Sequence, residues 1–380
     1  MASRGRAQVR VVVVAIAVML GLGLVPAAQS VVVLPPAPAP RCAWSVVYPL
    51  DANYAWPDTN AAYINQAVLL GAGEKVVITG RDPKARHWSI TTYNFEDREV
   101  IDRVNDATVK RQGKGSKATW TVTVSPKDNP RDPNSLKSAA AYTYGDPVDR
   151  KKVTVIMYRV YLSETKGYAG GPLPVITLHH DDGLTKGTER LAPCTTDQVT
   201  TPDMPLDLVP AEGVPAQFVR AEGGRFYPSY DTSYLAAQVP YDPSRILVVT
   251  GRAPRVPRDV RYWSLCQNVN AGDLPVVDCA SDKDIRLRKG RYTIAVVGPG
   301  QVPDRALYPG VTFVEWTEPT EAPSPVPDAF LIWRNILPAK SFAYAVDKVP
   351  LGQPASPTMG EYAPVISHLT LEELGGLAGS

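Results

Sequence analysis

Short runs of alternating apolar and polar residues recur along the whole chain. Examples are KVVIT, TWTVTVS, RILVVT and RYTIAVV. In TWTVTVS, a period of two places Trp120, Val122 and Val124 on one side of a strand and the threonines on the other. Pro and Gly, 37 and 28 in all, interrupt nearly every gap between runs. Short strands separated by turn signals predict an all-β fold with minor α content, built from antiparallel β-sandwich or jelly-roll-like domains.

Few windows keep the 3.6-residue apolar spacing of an amphipathic helix. Three short segments come closest to it, at Asn60–Leu70, Ser135–Tyr142 and Thr370–Leu377. We expect any helices to lie there.

The order of motifs in the first half of the chain recurs in the second. Each half runs through Asp-Thr, a Tyr, an apolar run ending Thr-Gly-Arg and a run containing Trp-Ser. Gly80 and Gly251 are 171 positions apart, and Trp88 and Trp263 are 175 apart. So small a drift in the offset indicates duplication of a unit of roughly 150–170 residues.

The repeat and the Pro-rich stretches suggest a division of the chain. We predict a signal peptide at 1–30, a Pro-rich spacer at 31–41, a first β-sandwich at 42–194, a linker at 195–217 and a second β-sandwich at 218–380.

The first thirty residues have the layout of a secretory signal peptide. Arg4, Arg6 and Arg10 precede an uncharged apolar run, and Ala28 and Ser30 provide small residues for cleavage. A retained signal anchor is the alternative, because about 20 apolar residues can span a bilayer. We therefore expect a secreted or cell-envelope protein, with the leader, if uncleaved, as its membrane contact.

Removing this leader changes the charge balance. It holds three of the 40 basic residues and none of the 38 acidic ones, so the remaining chain carries about one net negative charge. We therefore do not expect a nucleic acid as partner. The cluster Lys110, Arg111, Lys114 and Lys117 lies among Gly and Ser and is interpreted as a solvated loop.

The four cysteines, Cys42, Cys194, Cys266 and Cys279, suggest two disulfides in an exported chain. Four cysteines allow three pairings. A bridge between Cys266 and Cys279 would fasten a local hairpin and leave Cys42 and Cys194 to bracket the first half. The chain has no C-x-x-C pair, so we expect structural bridges.

The strands containing Trp-Ser, followed by a strand with an Arg between apolar residues, resemble the bacterial domain of unknown function twelve-fourteen. The matching positions are Trp88, Ser89, Tyr93, Arg159 and Tyr161 in the first half, and Trp263, Ser264 and Arg334 in the second. The resemblance implies a jelly-roll-like domain used in tandem and implies no activity. The second half departs from the pattern, because Cys266, Gln267 and Asn268 replace Thr-x-Tyr-Asn.

Four arginines occupy paired positions in the two halves. Arg81 and Arg252 end matching strands, whereas Arg159 and Arg334 interrupt apolar strands. A buried arginine requires a partner, because an unpaired charge is costly in a medium of low dielectric constant. The partner is either an acid of the same half or an anionic ligand, and in the second case these arginines form the binding site.

The candidates for chemistry are few. His179, Asp181 and Asp182 could hold Zn²⁺ or Mn²⁺, with an exposed polar turn as the alternative; adjacent strand residues such as His179 and His180 point to opposite faces. Ser89 and Ser264 are interpreted as solvent-side strand residues. The sequence has no nucleophile elbow, H-E-x-x-H motif or P-loop, and we expect no cofactor.

These features favour a non-catalytic protein that recognises an envelope polysaccharide or a protein partner, in an oligomeric state that the sequence does not specify. The 18 Tyr and 7 Trp suit such a surface, although they also favour strands. One alternative is a carbohydrate-active hydrolase with its site between the halves, and another is a structural envelope protein. Asp58-Thr59 and Asp231-Thr232 recur at matching places and are interpreted as turn or capping residues.

Overall fold

The computed structural model describes residues 42–48, 53, 56–127, 129–164, 169–181, 186–195, 217–221, 227–240, 242, 244–269, 275–298, 301, 303–316 and 328–379. The predicted signal peptide, the Pro-rich spacer, nearly all of the predicted linker and Asp182 lie outside these ranges.

The first half forms two sheets. Its strands are β1 (Val46–Tyr48), β2 (Ala61–Leu69), β3 (Lys75–Arg81), β4 (Ala85–Asn94), β5 (Val100–Asn105), β6 (Arg111–Gln112), β7 (Thr119–Ser125), β8 (Ser135–Lys137), β9 (Val153–Ser163), β10 (Val175–Asp181) and β11 (Lys186–Arg190). Sheet I has the order β1-β2-β9-β4-β5, and sheet II has the order β11-β10-β3-β7-β6, with β8 paired to β7.

The second half also forms two sheets. Its strands are β12 (Val219–Ala221), β13 (Thr232–Pro240), β14 (Ile246–Arg252), β15 (Tyr262–Asn268), β16 (Val276–Ser281), β17 (Leu287–Arg288), β18 (Arg291–Val297), β19 (Val311–Glu315), β20 (Asp328–Ile336) and β21 (Val365–Leu369). Sheet III has the order β12-β13-β20-β15-β16, and sheet IV has the order β17-β18-β14-β21, with β19 paired to β18.

Sheets I and III correspond strand by strand. Arg159 lies opposite Tyr63 and Ser89 in sheet I, just as Arg334 lies opposite Tyr234 and Ser264 in sheet III. The all-β class predicted from the alternating runs is confirmed, and nearly all strand pairs are antiparallel.

Each half encloses its own core between its two sheets. In the first half Trp88 of β4 stacks on Trp120 of β7, with ring centroids 4.7 Å apart. In the second half Trp263 of β15 stacks on Trp333 of β20 at 4.6 Å. Burial alternates along β7 as predicted, since Trp120, Val122 and Val124 are buried and the intervening threonines are partly exposed.

The outer faces of sheets I and III are also buried. Every residue from Trp88 to Tyr93 in β4 and from Val153 to Tyr161 in β9 is buried, as is all of β15. Residues on both sides of these strands are therefore shielded, because the two faces pack against each other. We call this contact between sheets I and III the seam.

Two of the three helical segments expected from the sequence are strands. The segment 60–70 is mostly β2, a strand that pairs with β9 along nine residues, and the segment 135–142 begins with the three residues of β8 and contains no helix. Pairing with neighbouring strands outweighs the weak helical spacing there. The third expectation is confirmed. Helix α1 spans Ser356–Met359, and helix α2 spans Leu371–Gly379 at the predicted tail.

The two disulfides are Cys42–Cys194 and Cys266–Cys279. Cys266 and Cys279 lie directly opposite each other on β15 and β16. Two bridges fit a protein of an oxidising extracellular or periplasmic compartment. Within the described ranges, none of the helices has the length and apolar character needed to cross a membrane.

Candidate functional site

Two buried arginines link the halves in a reciprocal way. Arg159, in the first half, donates from Nη2 to the backbone oxygen of Tyr227 in the second half at 2.6 Å. Arg334, in the second half, donates from Nη2 to the backbone oxygen of Trp56 in the first half, also at 2.6 Å. The predicted binding residues Arg159 and Arg334 are therefore held across the seam, and neither pairs with an acid of its own half among the described residues.

The two accepting segments also have the same conformation. Trp56 and Tyr227 have positive φ values of 50° and 55°. Such values are uncommon for bulky residues, and each costs on the order of 1 kcal/mol. Packing compensates this strain: the Trp56 ring stacks on Phe330 of sheet III at 4.8 Å, and Tyr227 packs edge-on against Tyr93 of sheet I at 5.1 Å.

The buried carboxylate of Asp58 binds groups of the other half. Its Oδ2 accepts hydrogen bonds from Tyr262 Oη and from Ser264 Oγ, each at 2.7 Å, and lies 3.9 Å from Arg334 Nη1. Burial raises the pKa of the Tyr262 hydroxyl well above its ordinary value, and the negative Asp58 adds to this shift. The Tyr262 hydroxyl is therefore a permanent donor to Asp58.

In the first half, His87 precedes Trp88 just as Tyr262 precedes Trp263 in the second half, and it also binds an acid of the other half. His87 Nδ1 lies 2.7 Å from Asp106 Oδ1, and His87 Nε2 lies 3.5 Å from Asp231 Oδ2 of the second half. Burial by itself lowers the pKa of His87, but the hydrogen bond to Asp106 and the nearby Asp231 outweigh it and raise the pKa. Burial likewise opposes the charge on Asp106 and Asp231, but contact with His87 holds the pKa of both below the ordinary range.

Salt bridges close the rim of the seam near His87. Arg86 Nη1 contacts Asp282 Oδ2 at 2.8 Å, Arg261 contacts Asp106, and Arg103 Nε lies 3.8 Å from Asp231 Oδ1. Burial raises the pKa of Asp282, although Arg86 opposes the shift. Each of these carboxylates thus has a cation of the other half as partner.

The Cys266–Cys279 bridge lies in the seam as well. Arg334 Nη1 is 2.7 Å from Cys266 Sγ, and the backbone N–H of Thr59 donates to Cys279 Sγ at 3.4 Å. Within the described ranges, Asp58, Cys266 and Cys279 form the one cluster with the spacing of a metal site. The two sulfurs are bonded to each other, so the cluster has no free thiolate to ligate a metal.

The second half carries an exposed aromatic surface at the end of β14. The Tyr344 side chain is 46% exposed, and its ring stacks on Tyr362 with centroids 5.1 Å apart and planes 21° apart. The Arg252 guanidinium lies 5.5 Å above the Tyr362 ring and donates to Glu361 Oε1 at 2.7 Å. Arg291 Nη1 is 4.0 Å from Glu361 Oε2. We call Tyr344, Tyr362, Arg252, Glu361 and Arg291 the recognition patch.

The other predicted site residues are dispersed. Arg81 is exposed at the end of β3, far in sequence from the recognition patch. His179 and Asp181 lie on β10, where Asp181 is 3.6 Å from Lys186 Nζ. His180 turns to the opposite face, with Nδ1 3.2 Å from the buried Glu74. Apart from Asp182, which lies outside the described residues, the structure does not bring the predicted metal ligands into a cluster.

Ser89 and Ser264 were expected on a solvent-facing side, and that expectation is wrong. Both are fully buried in the seam, and Ser264 donates to Asp58. Both serines do lie on the face of the strand opposite the core tryptophans of β4 and β15. That face contacts the other half of the chain and not solvent.

Comparison with known proteins informs the fold alone. No protein-family model matches the chain, and no curated protein does. A solved structure of an uncharacterized protein from Burkholderia cenocepacia is 11% identical, covers 88% of this chain and 84% of its own, and has a TM-score of 0.53. A protein from Vibrio parahaemolyticus is 13% identical, with 83% of this chain and 90% of its own covered and a TM-score of 0.45. The similarity to the Burkholderia cenocepacia protein extends over both halves of this chain, so the two proteins share the fold.

Proposed function

We propose that the protein is an exported, non-catalytic binding protein of the cell envelope that recognises a polysaccharide through the recognition patch. The observation that carries this proposal is the half-exposed Tyr344 ring stacked beside the Arg252–Glu361 pair.

The geometry of the patch suits a sugar. Tyr362 covers one face of the Tyr344 ring and Phe342 lies at a steep angle to it at 6.0 Å, yet Tyr344 remains 46% exposed. An exposed ring face packs against the apolar C–H face of a pyranose, and flanking Arg and Glu side chains hydrogen-bond its hydroxyl groups. Tyr362 is 9% exposed and is held by Phe342 at 5.2 Å, which makes the stack rigid.

Binding is favoured over hydrolysis by the state of the acids between the halves. A glycosidase needs one carboxyl group that is protonated near neutral pH and a second that is ionised, both facing the substrate. In the seam Asp58 is fully buried and bound to Tyr262 and Ser264, whereas Asp106 and Asp231 have lowered pKa values and hold His87. The pKa of Asp282 is raised, but its carboxylate forms a salt bridge with Arg86.

Export is supported by the two disulfides together with the leader-like N-terminus. We further infer that the halves descend from one duplicated β-rich unit. The corresponding strand orders of sheets I and III and the reciprocal contacts of Arg159 and Arg334 support this inference.

The test is a glycan array probed with the full chain, its disulfides intact, followed by titration of the best polysaccharide. Tyr344→Ala should weaken binding about tenfold or more, because loss of a sugar-stacking ring costs more than about 1.4 kcal/mol. Tyr230→Ala is the matched control, since Tyr230 is 64% exposed and its ring lies against Arg103 of the first half rather than against a patch residue.

Equal loss in both variants, or none in either, would contradict the assignment of the patch. A chain that binds no glycan but captures one defined envelope protein would instead support the second candidate, a protein partner.

A further inference from the structure

Cationic side chains are concentrated in one hairpin beside the recognition patch. The hairpin joins β17 to β18 and reads Arg288-Lys289-Gly290-Arg291. Arg288 pairs directly with Arg291, and Arg291 pairs directly with Arg252 of β14. Residues that are paired across strands share one face of a sheet, and neighbouring strands are about 4.8 Å apart. Three exposed arginines therefore form a row across three adjacent strands.

This row works against local stability. Like charges directly opposite each other destabilise a strand pair. The turn adds a second cost, because Lys289 and Gly290 both have positive φ, 49° and 76°. A two-residue turn of this kind favours Asn, Asp or Gly at its first position, and here it carries Lys. Two departures from local preference at one site are expected where function requires them.

One carboxylate partly balances the row. Glu361 contacts Arg252 at 2.7 Å and Arg291 at 4.0 Å. Glu361 thus contacts two of four neighbouring cations, and the hairpin adds Arg288 and Lys289 beside them, although the chain without its leader is close to neutral. The local field at the patch is positive, which attracts anions.

The cationic row and the aromatic stack are one continuous surface. Arg252 belongs to both, because its guanidinium is the end of the row and also lies over the Tyr362 ring. A polymeric ligand that stacks on Tyr344 and continues past Tyr362 would reach the arginines.

The equivalent positions of the first half lack this feature. There Gln112 of β6 pairs with Thr119 of β7, and Thr119 pairs with Arg81 of β3. One arginine stands where the second half has three. The row is therefore a property of the second half and not of the shared fold.

We propose that the ligand of the recognition patch is an anionic polysaccharide whose carboxylate, sulfate or phosphate groups bind Arg252, Arg291 and Arg288. Guanidinium groups bind such oxyanions through paired, charge-assisted hydrogen bonds. This inference rests on the proposed function and specifies its ligand class.

The test compares polymers that share one backbone. The full chain is titrated with dextran, carboxymethyl dextran, dextran sulfate and dextran phosphate, and with a single-stranded DNA oligonucleotide. Arg288→Ala/Arg291→Ala should weaken binding to at least one charged dextran about tenfold or more. The control Lys114→Ala/Lys117→Ala removes two cations from the corresponding hairpin of the first half and should leave that affinity within about twofold.

Thermal unfolding provides a second readout. The arginine variant should still unfold cooperatively well above the titration temperature, which separates weaker binding from misfolding. The charged dextran for which the arginine variant loses most affinity identifies the anionic group that the row binds.

Several results would overturn the inference. Equal affinity for neutral and charged dextrans, or equal losses in both double variants, would show that the arginine row does not bind the ligand. Glycan binding by Tyr344 is tested separately by the array, so it would not be contradicted. Absence of binding to every charged dextran would also overturn it. Tighter binding of the oligonucleotide than of any dextran would replace the polysaccharide with a nucleic acid.

Discussion

Arg159 and Tyr227 are 68 positions apart, and the arginine Nη2 donates to the tyrosine backbone oxygen at 2.6 Å. Arg159 is 3% exposed, and its Nη1 also donates to Tyr93 Oη at 2.5 Å. Among the residues that the structure describes, this guanidinium has no acidic partner, and oxygen dipoles and the ring faces of Tyr63 and Tyr93 stabilise it. Arg159 therefore joins the two halves, with its Nη1 bound to the first half and its Nη2 bound to the second.

Arg159→Met should destabilise the chain by about 3 kcal/mol, because two charge-assisted hydrogen bonds are lost and their oxygens stay buried. Urea unfolding measures the change. The matched control is Arg81→Met, at an exposed strand end, which should change the free energy of unfolding by less than about 0.5 kcal/mol. Similar small effects in both variants would show that the Arg159 contact contributes little.

Stability should depend on the protonation of His87. Its pKa is raised in the folded chain, so its contribution is fully present below its unfolded pKa of about 6.5 and is lost as the pH rises through the higher folded value. Asp106 and Asp231 have lowered pKa values, so their contribution disappears as the pH falls through those values. We expect the free energy of unfolding to decline as the pH rises above about 6.5, and this decline to flatten in His87→Gln. An unchanged pH profile in that variant would assign the titration to another group.

The two disulfides should contribute unequally. Cys42–Cys194 closes a loop of 152 positions, whereas Cys266–Cys279 closes one of 13. Restriction of the unfolded chain predicts a loss of about 5 kcal/mol for Cys42→Ala/Cys194→Ala and about 3 kcal/mol for Cys266→Ala/Cys279→Ala. Chemical unfolding of both variants measures this order. The reverse order would indicate that contacts of the short bridge with Arg334 and Thr59 outweigh chain entropy.

The seam should hold the halves together without a covalent link. Neither disulfide connects the halves, so a protease site introduced after Pro205, outside the described residues, leaves only seam contacts after cleavage. We expect the two fragments to elute together in gel filtration. The Arg159→Met/Arg334→Met variant should release them at lower urea concentration than the parent. Separate elution of the parent fragments in buffer would mean that the seam is too weak to join them.

The sequence predicted much of the fold from local pattern. Alternation in TWTVTVS located the buried face of β7. The closeness of Cys266 and Cys279 along the chain suggested one of three possible pairings, and the structure has that one. The helix predicted over Asn60–Leu70 failed, because β2 is set by long-range pairing with β9, which local spacing does not encode.

The candidate site was harder to predict, because the seam consists of contacts between residues of different halves. The repeat placed Arg159 and Arg334 at equivalent positions, but an Arg in an apolar strand does not reveal which half contains its partner. The sequence motif pairs Asp58 with Asp231, but the structural register equates Asp231 with Asn60, because their carbonyls accept from the equivalent residues Leu337 and Leu162. The two Asp-Thr pairs are therefore two positions out of register with each other. The patch was missed except for Arg252, because Tyr344 and Glu361 are 92 or more positions from it.

The most direct measurement is the dissociation constant for the best array polysaccharide, determined side by side with the free energy of unfolding for Tyr344→Ala and His87→Gln. The seam holds the halves and the patch binds the ligand, so Tyr344→Ala should lose about tenfold or more in affinity with little change in stability, and His87→Gln should lose stability with affinity unchanged in the folded protein. Loss of affinity in His87→Gln under fully folded conditions, with Tyr344→Ala binding like the parent chain, would place recognition between the halves and contradict the proposed function.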